Sequence, residues 1–232
     1  MPRDAGPDYD AAVANSRPRR REPANDIELL DLAPFAGPAL EDGGDYEAVD
    51  FAGLDLAGAS AVGATFLGCR LERCGMDGIR LDRARFAECR IADIAAATVN
   101  APDSTWRDSL FADARVGALL ASGSTWNLVR LRGVKANLVD LRGARLVDVV
   151  LEDCAIGELD LGDAEARSVR IERSTIDDLS VDGARLHDVD ISGARLAVVR
   201  GIAGLRGAVI EPGQLLDLAP MLAAHLGIGI RD

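Results

Sequence analysis

Residues 141–160 read LRGARLVDVVLEDCAIGELD, and every fifth residue of this stretch is apolar. These residues are Leu141, Leu146, Leu151 and Ile156. The same phase runs without a break from Tyr46 to Leu196, if Tyr46 is counted as apolar. Because 48% of the chain is hydrophobic, chance would give such a run in one preset register with a probability of roughly 10⁻¹⁰. The period of five matches neither an α-helix nor a plain β-strand.

A second set of residues, most of them small, lies two positions before each residue of the first set. Most are Ala, Cys, Ser or Val, and Gly often lies two positions after the first set, as at Gly53 and Gly143. A chain that turns a corner every five residues would point one large and one small side chain inward on each side. Four sides of five residues close a square coil of 20 residues, and coils stacked at strand spacing form a β-helix.

The five-residue pattern, as in ARLHD at 184–188 or LDLGD at 159–163, resembles the pentapeptide-repeat family. The resemblance implies a right-handed quadrilateral β-helix over residues 46–200, about two thirds of the chain. We therefore predict an all-β solenoid of about eight coils, roughly 37 Å long at about 4.8 Å per coil. A sandwich or barrel with many turns is the alternative, but it would need breaks in the phase at its hairpins.

Residues 20 positions apart should lie above one another in this fold. One interior column would then collect most of the aromatic residues, although only 4% of the chain is aromatic. Its first five members are Tyr46, Phe66, Phe86, Trp106 and Trp126. We expect this column to be a dry ladder in which each coil supports its neighbours.

Two segments precede the repeats. Residues 1–26 are polar and contain a cluster of four Arg residues at positions 17, 19, 20 and 21, near Pro18 and Pro23. We predict a disordered tail there, with a nucleic-acid-binding arm as the alternative. Residues 27–45 contain apolar residues outside the five-residue phase, and we predict that they cover the open edge of the first coil.

Residues 201–232 are predicted to form a strand and a helical cap. The sequence EPGQ at 211–214 opens a pattern of apolar residues three and four positions apart, which Pro220 should kink or divide. We expect this helix to cap the last coil and, because it has more apolar residues than one face needs, to form a possible homodimer contact. The resemblance implies the same, since C-terminal helices of the family often form dimers. The candidate residues are Leu215, Leu218, Met221, Leu222 and Leu226.

All four cysteines fall in the small inward register, which predicts reduced thiols in the core. They are Cys69, Cys74, Cys89 and Cys154. Cys69 and Cys89 lie one coil apart, so distance would allow a disulfide, but a cytosolic location disfavours it. Because the chain has no CxxC pair, we predict no metal site.

The residue types of an active site are sparse. His187 faces outward and His225 lies in the terminal helix, and neither belongs to a Ser/His/Asp or metal-ligand pattern. The glycines recur at the corners, two positions after the first apolar set, and do not form a phosphate-binding loop. A square prism whose interior is filled by side chains has no concave pocket. We predict no catalytic residue, no cofactor site and no cofactor. An unrecognised enzyme is the alternative from another functional class.

The formal net charge is −12, and the charges sort by position. Bases tend to lie just before each residue of the first apolar set, which we call the inward centres, and acids tend to lie two positions after it. The simplest interpretation is that these charges screen one another and keep the protein soluble. Some pentapeptide-repeat proteins imitate duplex DNA and bind DNA gyrase, which can protect against quinolones. The resemblance therefore implies DNA gyrase or another type II topoisomerase as a possible partner. The candidate acidic surface is the corner column Glu88, Asp108, Asp148 and Asp188.

The charge pattern limits the mimicry interpretation and also disfavours direct binding to nucleic acid. Interspersed arginines disagree with the unbroken negative potential that a DNA mimic should present. Direct nucleic-acid binding is not expected, because an acidic body repels phosphates.

Outward positions are mostly polar or small, apart from four apolar residues that should gather along one edge. They are Leu110, Leu128, Val147 and Val150. We hypothesise that they form a contact patch for a protein partner. The alternative is that they pack on one another or under the stems of neighbouring arginines.

These observations favour a non-enzymatic binding protein or scaffold that acts through the outer faces of a rigid rod. DNA mimicry of the gyrase-binding kind is the specific alternative within binding. No apolar run reaches membrane-spanning length, so we expect no membrane partner. The N-terminus has no apolar signal segment, and a cytoplasmic location is expected.

Overall fold

Pairing between residues 20 positions apart organises the structure. A computed structural model describes residues 22–229 of the chain. Trp106 pairs with Trp126, and the long strands pair in parallel with those one coil before and one coil after them. The result is a β-solenoid of about nine turns with one C-terminal helix, which confirms the predicted fold class. Short strands at both ends extend the stack beyond the predicted eight coils.

The strands form two parallel sheets that wrap around the square coil. The 14-stranded sheet contains β1 (Ala33–Pro34), β2 (Asp45–Glu47), β3 (Val49–Asp50), β4 (Thr65–Leu67), β5 (Arg70–Glu72), β7 (Arg85–Ala87), β8 (Arg90–Ala92), β10 (Thr105–Ala112), β12 (Thr125–Arg132), β14 (Arg145–Glu152), β16 (Glu165–Glu172), β18 (Arg185–His187), β19 (Val189–Asp190) and β21 (Ala208–Val209). The seven-stranded sheet contains β6 (Ile79–Arg80), β9 (Ala95–Asn100), β11 (Arg115–Leu120), β13 (Lys135–Asp140), β15 (Ala155–Asp160), β17 (Ser174–Ser180) and β20 (Ala194–Arg200). In the middle coils the first sheet covers two sides, the second covers a third, and a turn forms the fourth.

Left-handed backbone at the corners explains the repeated Gly and Asp residues. The residue two positions after an inward centre has a positive φ at most corners, for example 54° at Asp103 and 64° at Gly143. Gly adopts this conformation at no steric cost, and Asp tolerates it better than most residues do. The acids that recur at corners therefore have a backbone role, whatever they also do in binding.

Two residues from each side fill the interior. All but four of the predicted inward centres are buried, and these four pack against the core from partly buried positions: Tyr46, Ala96, Leu186 and Leu196. In the aromatic column, ring centroids are 4.7 Å apart for Phe66 and Phe86 and 4.1 Å apart for Phe86 and Trp106. Trp106 and Trp126 are 4% and 2% exposed, and their rings lie 6.1 Å apart. The predicted column is confirmed.

Three of the four serines in the small inward register, Ser104, Ser109 and Ser174, make hydrogen bonds inside the solenoid, whereas the Oγ of Ser124 has no partner among the described residues. Ser104 Oγ accepts a hydrogen bond of 2.7 Å from Trp106 Nε1, so the buried indole has a partner. Ser109 Oγ accepts one of 3.2 Å from the main-chain amide of Cys89. Because a buried polar group needs a hydrogen-bond partner, these positions use a small polar residue where the others use Ala or Cys.

The four cysteines are free, buried thiols, as the inward register predicts. Cys74 Sγ lies 3.0 Å from the carbonyl oxygen of Phe51, one coil below. Burial raises the pKa of the Cys154 thiol to about 11, so the reactive thiolate is disfavoured. Within residues 22–229, no group of His, Cys, Asp or Glu is placed to hold a metal ion.

The N-terminal end of the solenoid is covered by residues 33–40. β1 pairs with β3, and the ring centroid of Phe35 lies 4.9 Å from that of Phe51. Leu40 is buried in the same core. These contacts give the edge strand of the first coil a partner, in keeping with the cover proposed for residues 27–45.

The C-terminal end changes register and then forms a helix. Val189 pairs with Ala208, nineteen residues later rather than twenty, and a 3₁₀ turn at Ile202–Leu205 precedes this pairing. Helix α1 follows at Pro212–His225. No helix in the described part of the chain is long and apolar enough to cross a membrane.

The predicted division of the helix at Pro220 is wrong, because α1 continues through this residue. Pro220 has no N–H to donate to the carbonyl oxygen of Leu216. Leu216 is 76% exposed, so water can reach that carbonyl on the open side of the helix. Residues 1–21 of the predicted disordered tail lie outside the described residues. For residues 22–26 the prediction is wrong, because Arg130 and Arg132 on the rod donate hydrogen bonds to their backbone.

Substitution of Gly143 tests the left-handed corner. Nothing lies within 4 Å of the place that a Cβ would take, so backbone strain is the main cost of a side chain there. We expect Gly143→Val to lower the free energy of unfolding by at least ~1 kcal/mol, and Gly143→Asn to lower it much less, in urea denaturation. Equal losses for the two variants would contradict the corner geometry.

Candidate functional site

The four apolar residues proposed as a partner patch are mostly buried. Exposed fractions are 0% for Leu110, 2% for Val150 and 7% for Leu128, while Val147 is half-buried. The prediction that these side chains form an exposed patch is therefore wrong for three of the four. Leu110 does lie on an outer side of the rod, but another part of the chain covers it.

Residues 22–27, which we call the N-terminal segment, provide this cover. Ile27 packs against Leu110 and against the neighbouring Ala92 and Ala112. These three residues form a small apolar cluster on the outside of the first sheet. Of the proposed patch, Leu110 therefore contacts the protein's own N-terminal segment.

Arg130 anchors the N-terminal segment. Its Nη2 donates to the carbonyl oxygen of Pro23 at 3.0 Å, and its Nε donates to that of Ala24 at 3.2 Å. Its Nη1 forms an ion pair of 2.6 Å with Glu152. Because the Arg130 side chain is only 5% exposed, it needs these partners to offset the loss of water around its charge.

Three more arginines each make one contact with the segment. Arg132 Nη1 donates to the carbonyl oxygen of Asn25 at 2.7 Å, Arg170 Nη1 lies 2.7 Å from Glu22 Oε1, and Arg90 Nη1 pairs with Asp26. The carboxylates of Glu22 and Asp26 are 60% and 63% exposed. Each of these two exposed ion pairs is therefore worth at most about 1 kcal/mol.

The residues beneath the segment alternate along the rod between arginine and an apolar residue. This row, which we call the arginine column, consists of Arg90, Leu110, Arg130, Val150 and Arg170. At about 4.8 Å per coil, its arginines are ~10 Å apart. The bases and the apolar residues were each visible in the sequence. Their alternation within one column was the signal that a chain could lie over them.

The predicted acidic surface lies at one corner of the rod. Its four residues have φ values of 55°, 46°, 53° and 57°, in the order Glu88, Asp108, Asp148 and Asp188. Leu128 and Ser168 interrupt the column and have the same left-handed backbone. Asp108 also pairs with the adjacent Arg107 at 3.6 Å. The structure thus gives these acids a shared corner, but no continuous acidic row.

Ion pairs between successive coils place positive and negative side chains next to one another along the rod. Glu165 lies between Arg145 and Arg185, with nitrogen–oxygen distances of 3.7 and 2.5 Å. The hydrogen bond from Arg185 lowers the pKa of Glu165. Arg173 similarly bridges to Asp153 at 2.8 Å. Neighbouring acids and bases therefore screen one another along the rod.

Helix α1 divides its apolar residues between two sides. Leu218 is 5% exposed and belongs to the core, with Met221 and Leu222 packed against it from partly buried positions. Leu215 and Leu226 are 49% and 69% exposed. One side of the helix therefore caps the last coil, and the other presents apolar surface to solvent.

Gln214 joins the helix to the last coil. Its Nε2 donates to the carbonyl oxygens of Ile191 at 2.8 Å and Ala194 at 2.6 Å, which no further coil covers. Its Oε1 accepts a hydrogen bond of 2.9 Å from the amide of Glu211. Sequence reasoning missed this role, although the Glu-x-x-Gln spacing is typical of a capping box.

The expectation that the molecule has no concave pocket is wrong at the end of the rod. A cleft of about 550 Å³ lies between α1 and the last coil. Its lining combines Leu196, Val199 and Met221 with the polar side chains of Arg195 and Asp217. Ser192 and Glu211 also line it, whereas no histidine or cysteine does.

A comparison with protein-family models matches residues 50–89 to pentapeptide repeats, in eight copies. Residues 50–89 of the chain therefore carry pentapeptide repeats. Pentapeptide units of the same phase continue on both sides of the matched residues, from Tyr46 to Leu196. No curated protein matches the chain.

Solved structures that match the chain include the following two. A trypsin-treated variant of QnrB1, a plasmid-mediated fluoroquinolone resistance protein, is 15% identical, with coverage of 87% of this chain and 100% of that chain and a TM-score of 0.36. HetL, a pentapeptide repeat protein involved in heterocyst differentiation regulation from the cyanobacterium Nostoc sp. strain PCC 7120, is 17% identical, with coverage of 77% and 94% and a TM-score of 0.32.

Proposed function

We propose that this protein is a non-enzymatic pentapeptide-repeat binding protein whose outer faces contact a protein partner. The observation that carries the proposal is the filled interior, which is occupied by apolar side chains from Leu40 to Val199. Side chains free to meet another molecule therefore lie on the outside. A stack of coils holds them in rows of fixed spacing, which suits recognition of an extended surface.

The distribution of histidines supports binding over catalysis. His187 lies in β18 on the rod, and His225 lies at the far end of α1. The cleft beside α1 contains neither of them. Histidine is the most common general acid or base, and neither ring lies within reach of a substrate bound in this cleft.

DNA mimicry is the second candidate, and one observation favours it. Glu88 and Asp148 lie at the same corner of the rod and make no ion pair within residues 22–229, so their charges are open to a basic partner. The ion-paired side chains elsewhere argue against a continuous negative face. A supercoiling assay with DNA gyrase separates the two candidates, since inhibition at micromolar protein supports mimicry and its absence counts against it.

The apolar side of α1 supports a homodimer. Leu215, Leu216 and Leu226 are exposed on the helix, and Val209 is exposed in β21, which precedes it. A second copy related by a two-fold axis could cover the same residues on both chains. We propose this contact as the way in which two rods join.

Two matched variants test the dimer by sedimentation equilibrium. We expect Leu216→Lys with Leu226→Lys to convert a dimer into a folded monomer, because both side chains are exposed in one chain. Leu218→Lys should instead destabilise the cap, because it places a charge in the core. A protein that is monomeric before substitution would contradict the dimer.

Photo-crosslinking from each side of the rod tests the binding function. A photoreactive amino acid is placed in the full chain at Arg107, Arg115, Arg132 or Arg142, one on each side. We expect one side to give a protein adduct in an extract of the source cells, and an excess of the unmodified protein should abolish it. Identification of a gyrase subunit would support mimicry, whereas no competable adduct from any side would contradict a protein-binding function.

A further inference from the structure

We propose that the arginine column is a binding groove for an extended acidic segment of a partner protein, and that the N-terminal segment occupies this groove in the absence of the partner. The inference rests on the proposed binding function, and it names the side of the rod and the chemistry of the partner. Its basis is the set of contacts that the groove makes with residues 22–27.

The groove recognises an extended backbone. Arg130 and Arg132 donate to three successive carbonyl oxygens, those of Pro23, Ala24 and Asn25. Contacts of this kind do not depend on the side chains of the bound segment. Charge-assisted hydrogen bonds are also stronger than neutral ones, so they can fix the direction of a chain.

Only an extended chain can reach both ends of the groove. Arg170 and Arg90, which contact Glu22 and Asp26, are four coils apart, or ~19 Å. The four peptide units between Glu22 and Asp26 can span at most ~14 Å. The long side chains at both ends cover the difference, so a helical segment would be too short to make both contacts.

The groove also selects one aliphatic residue. Ile27, directly after Asp26, packs on the cluster of Ala92, Leu110 and Ala112. The two alanines leave room beside Leu110 for a branched side chain. A ligand that fits therefore carries two carboxylates four positions apart, with an aliphatic residue directly after the second.

The arginines are held in place by the rod itself. Arg130 donates a hydrogen bond of 2.6 Å to Glu152, and Arg170 Nε lies 3.0 Å from a Glu172 carboxylate oxygen as a charge contact without hydrogen-bond geometry. Arg90 forms an ion pair with Glu72. Because these pairs do not involve the N-terminal segment, the guanidinium groups are oriented before any ligand binds, and less entropy is lost on binding.

The flanking glutamates favour a peptide over a nucleic acid. Glu72, Glu152 and Glu172 run beside the arginines and would repel the phosphates of a nucleic acid. A peptide brings neutral carbonyl groups to most positions and a carboxylate only where a guanidinium N–H is available. The apolar floor at Leu110 and Val150 also suits a peptide side chain.

The N-terminal segment is bound weakly enough to leave. Both of its carboxylates are more than half exposed, and the chain that follows it is exposed at Glu28 and at Leu30, which is 79% exposed. The segment competes for the groove mainly because it is covalently joined to the rod, which gives it an effective concentration in the millimolar range. A partner with a longer or more acidic segment can therefore displace it.

Fluorescence anisotropy with a labelled peptide tests the groove. The probe is a synthetic peptide EPANDIELL, which repeats residues 22–30, and a scrambled peptide is its control. The full-length protein is compared with a full-length variant that carries Glu22→Gln, Asp26→Asn and Ile27→Ala, which weakens the tethered segment and leaves the groove intact. We expect the variant to bind the peptide at least tenfold more tightly than the wild type does.

Two substitutions in that triple variant locate the binding site. Arg132→Ala should weaken peptide binding at least fivefold, because it removes a donor from the groove. Arg142→Ala, on another side of the rod, should leave binding unchanged. Circular dichroism establishes that all variants are folded.

Three outcomes would overturn the proposal: no gain in affinity in the triple variant, equal binding of the scrambled peptide, or displacement of the peptide by a single-stranded oligonucleotide. Dimer formation by exchange of the N-terminal segment between two copies would also overturn it, because the occupant would then be this chain itself. The proposed binding function would survive each of these results if crosslinking from another side of the rod still captured a partner.

Discussion

The rod is held together by the placement of each residue directly over the residue one coil away. This register lets parallel main-chain hydrogen bonds and side-chain columns form at the same time, as for Val149 and Val169 in β14 and β16. It also leaves an open edge at each end, where the backbone would lack partners. β1 and Phe35 cover one end, and Gln214 bonds to carbonyl groups at the other.

Most of the fold follows from the sequence because one local geometry is repeated many times. The inward positions and the stacking of Trp106 on Trp126 are fixed by the period of five and the square coil. The recurrence of Gly and Asp at the corners has a similar local cause, since both residues suit the left-handed backbone. The cover over Leu110 could not be predicted in this way, because Ile27 lies outside the repeats and its contact with Leu110 has no periodic relation.

The candidate sites were predicted less well than the fold, for two physical reasons. Outward apolar side chains indicate that something covers them, but they do not indicate whether it is a partner or the same chain, as Leu110 illustrates. Corner acids such as Asp108 resemble a binding feature, but the backbone conformation gives them a structural reason as well. The arginine column becomes a groove only when Arg130 and the carbonyl oxygen of Pro23 are seen together.

The stability of variants with inserted residues tests the 20-residue register most directly. One variant duplicates residues 141–160, a whole coil, and the other duplicates residues 141–158, which is two residues shorter. We expect the whole-coil variant to unfold cooperatively with at least the wild-type free energy of unfolding, because each added coil brings its own contacts and interfaces. The shorter insertion should lower that free energy by several kcal/mol, because the inward side chains of the coil at the junction are two positions out of step with those of the coil below. Equal stability of the two variants would contradict the stacked square coil.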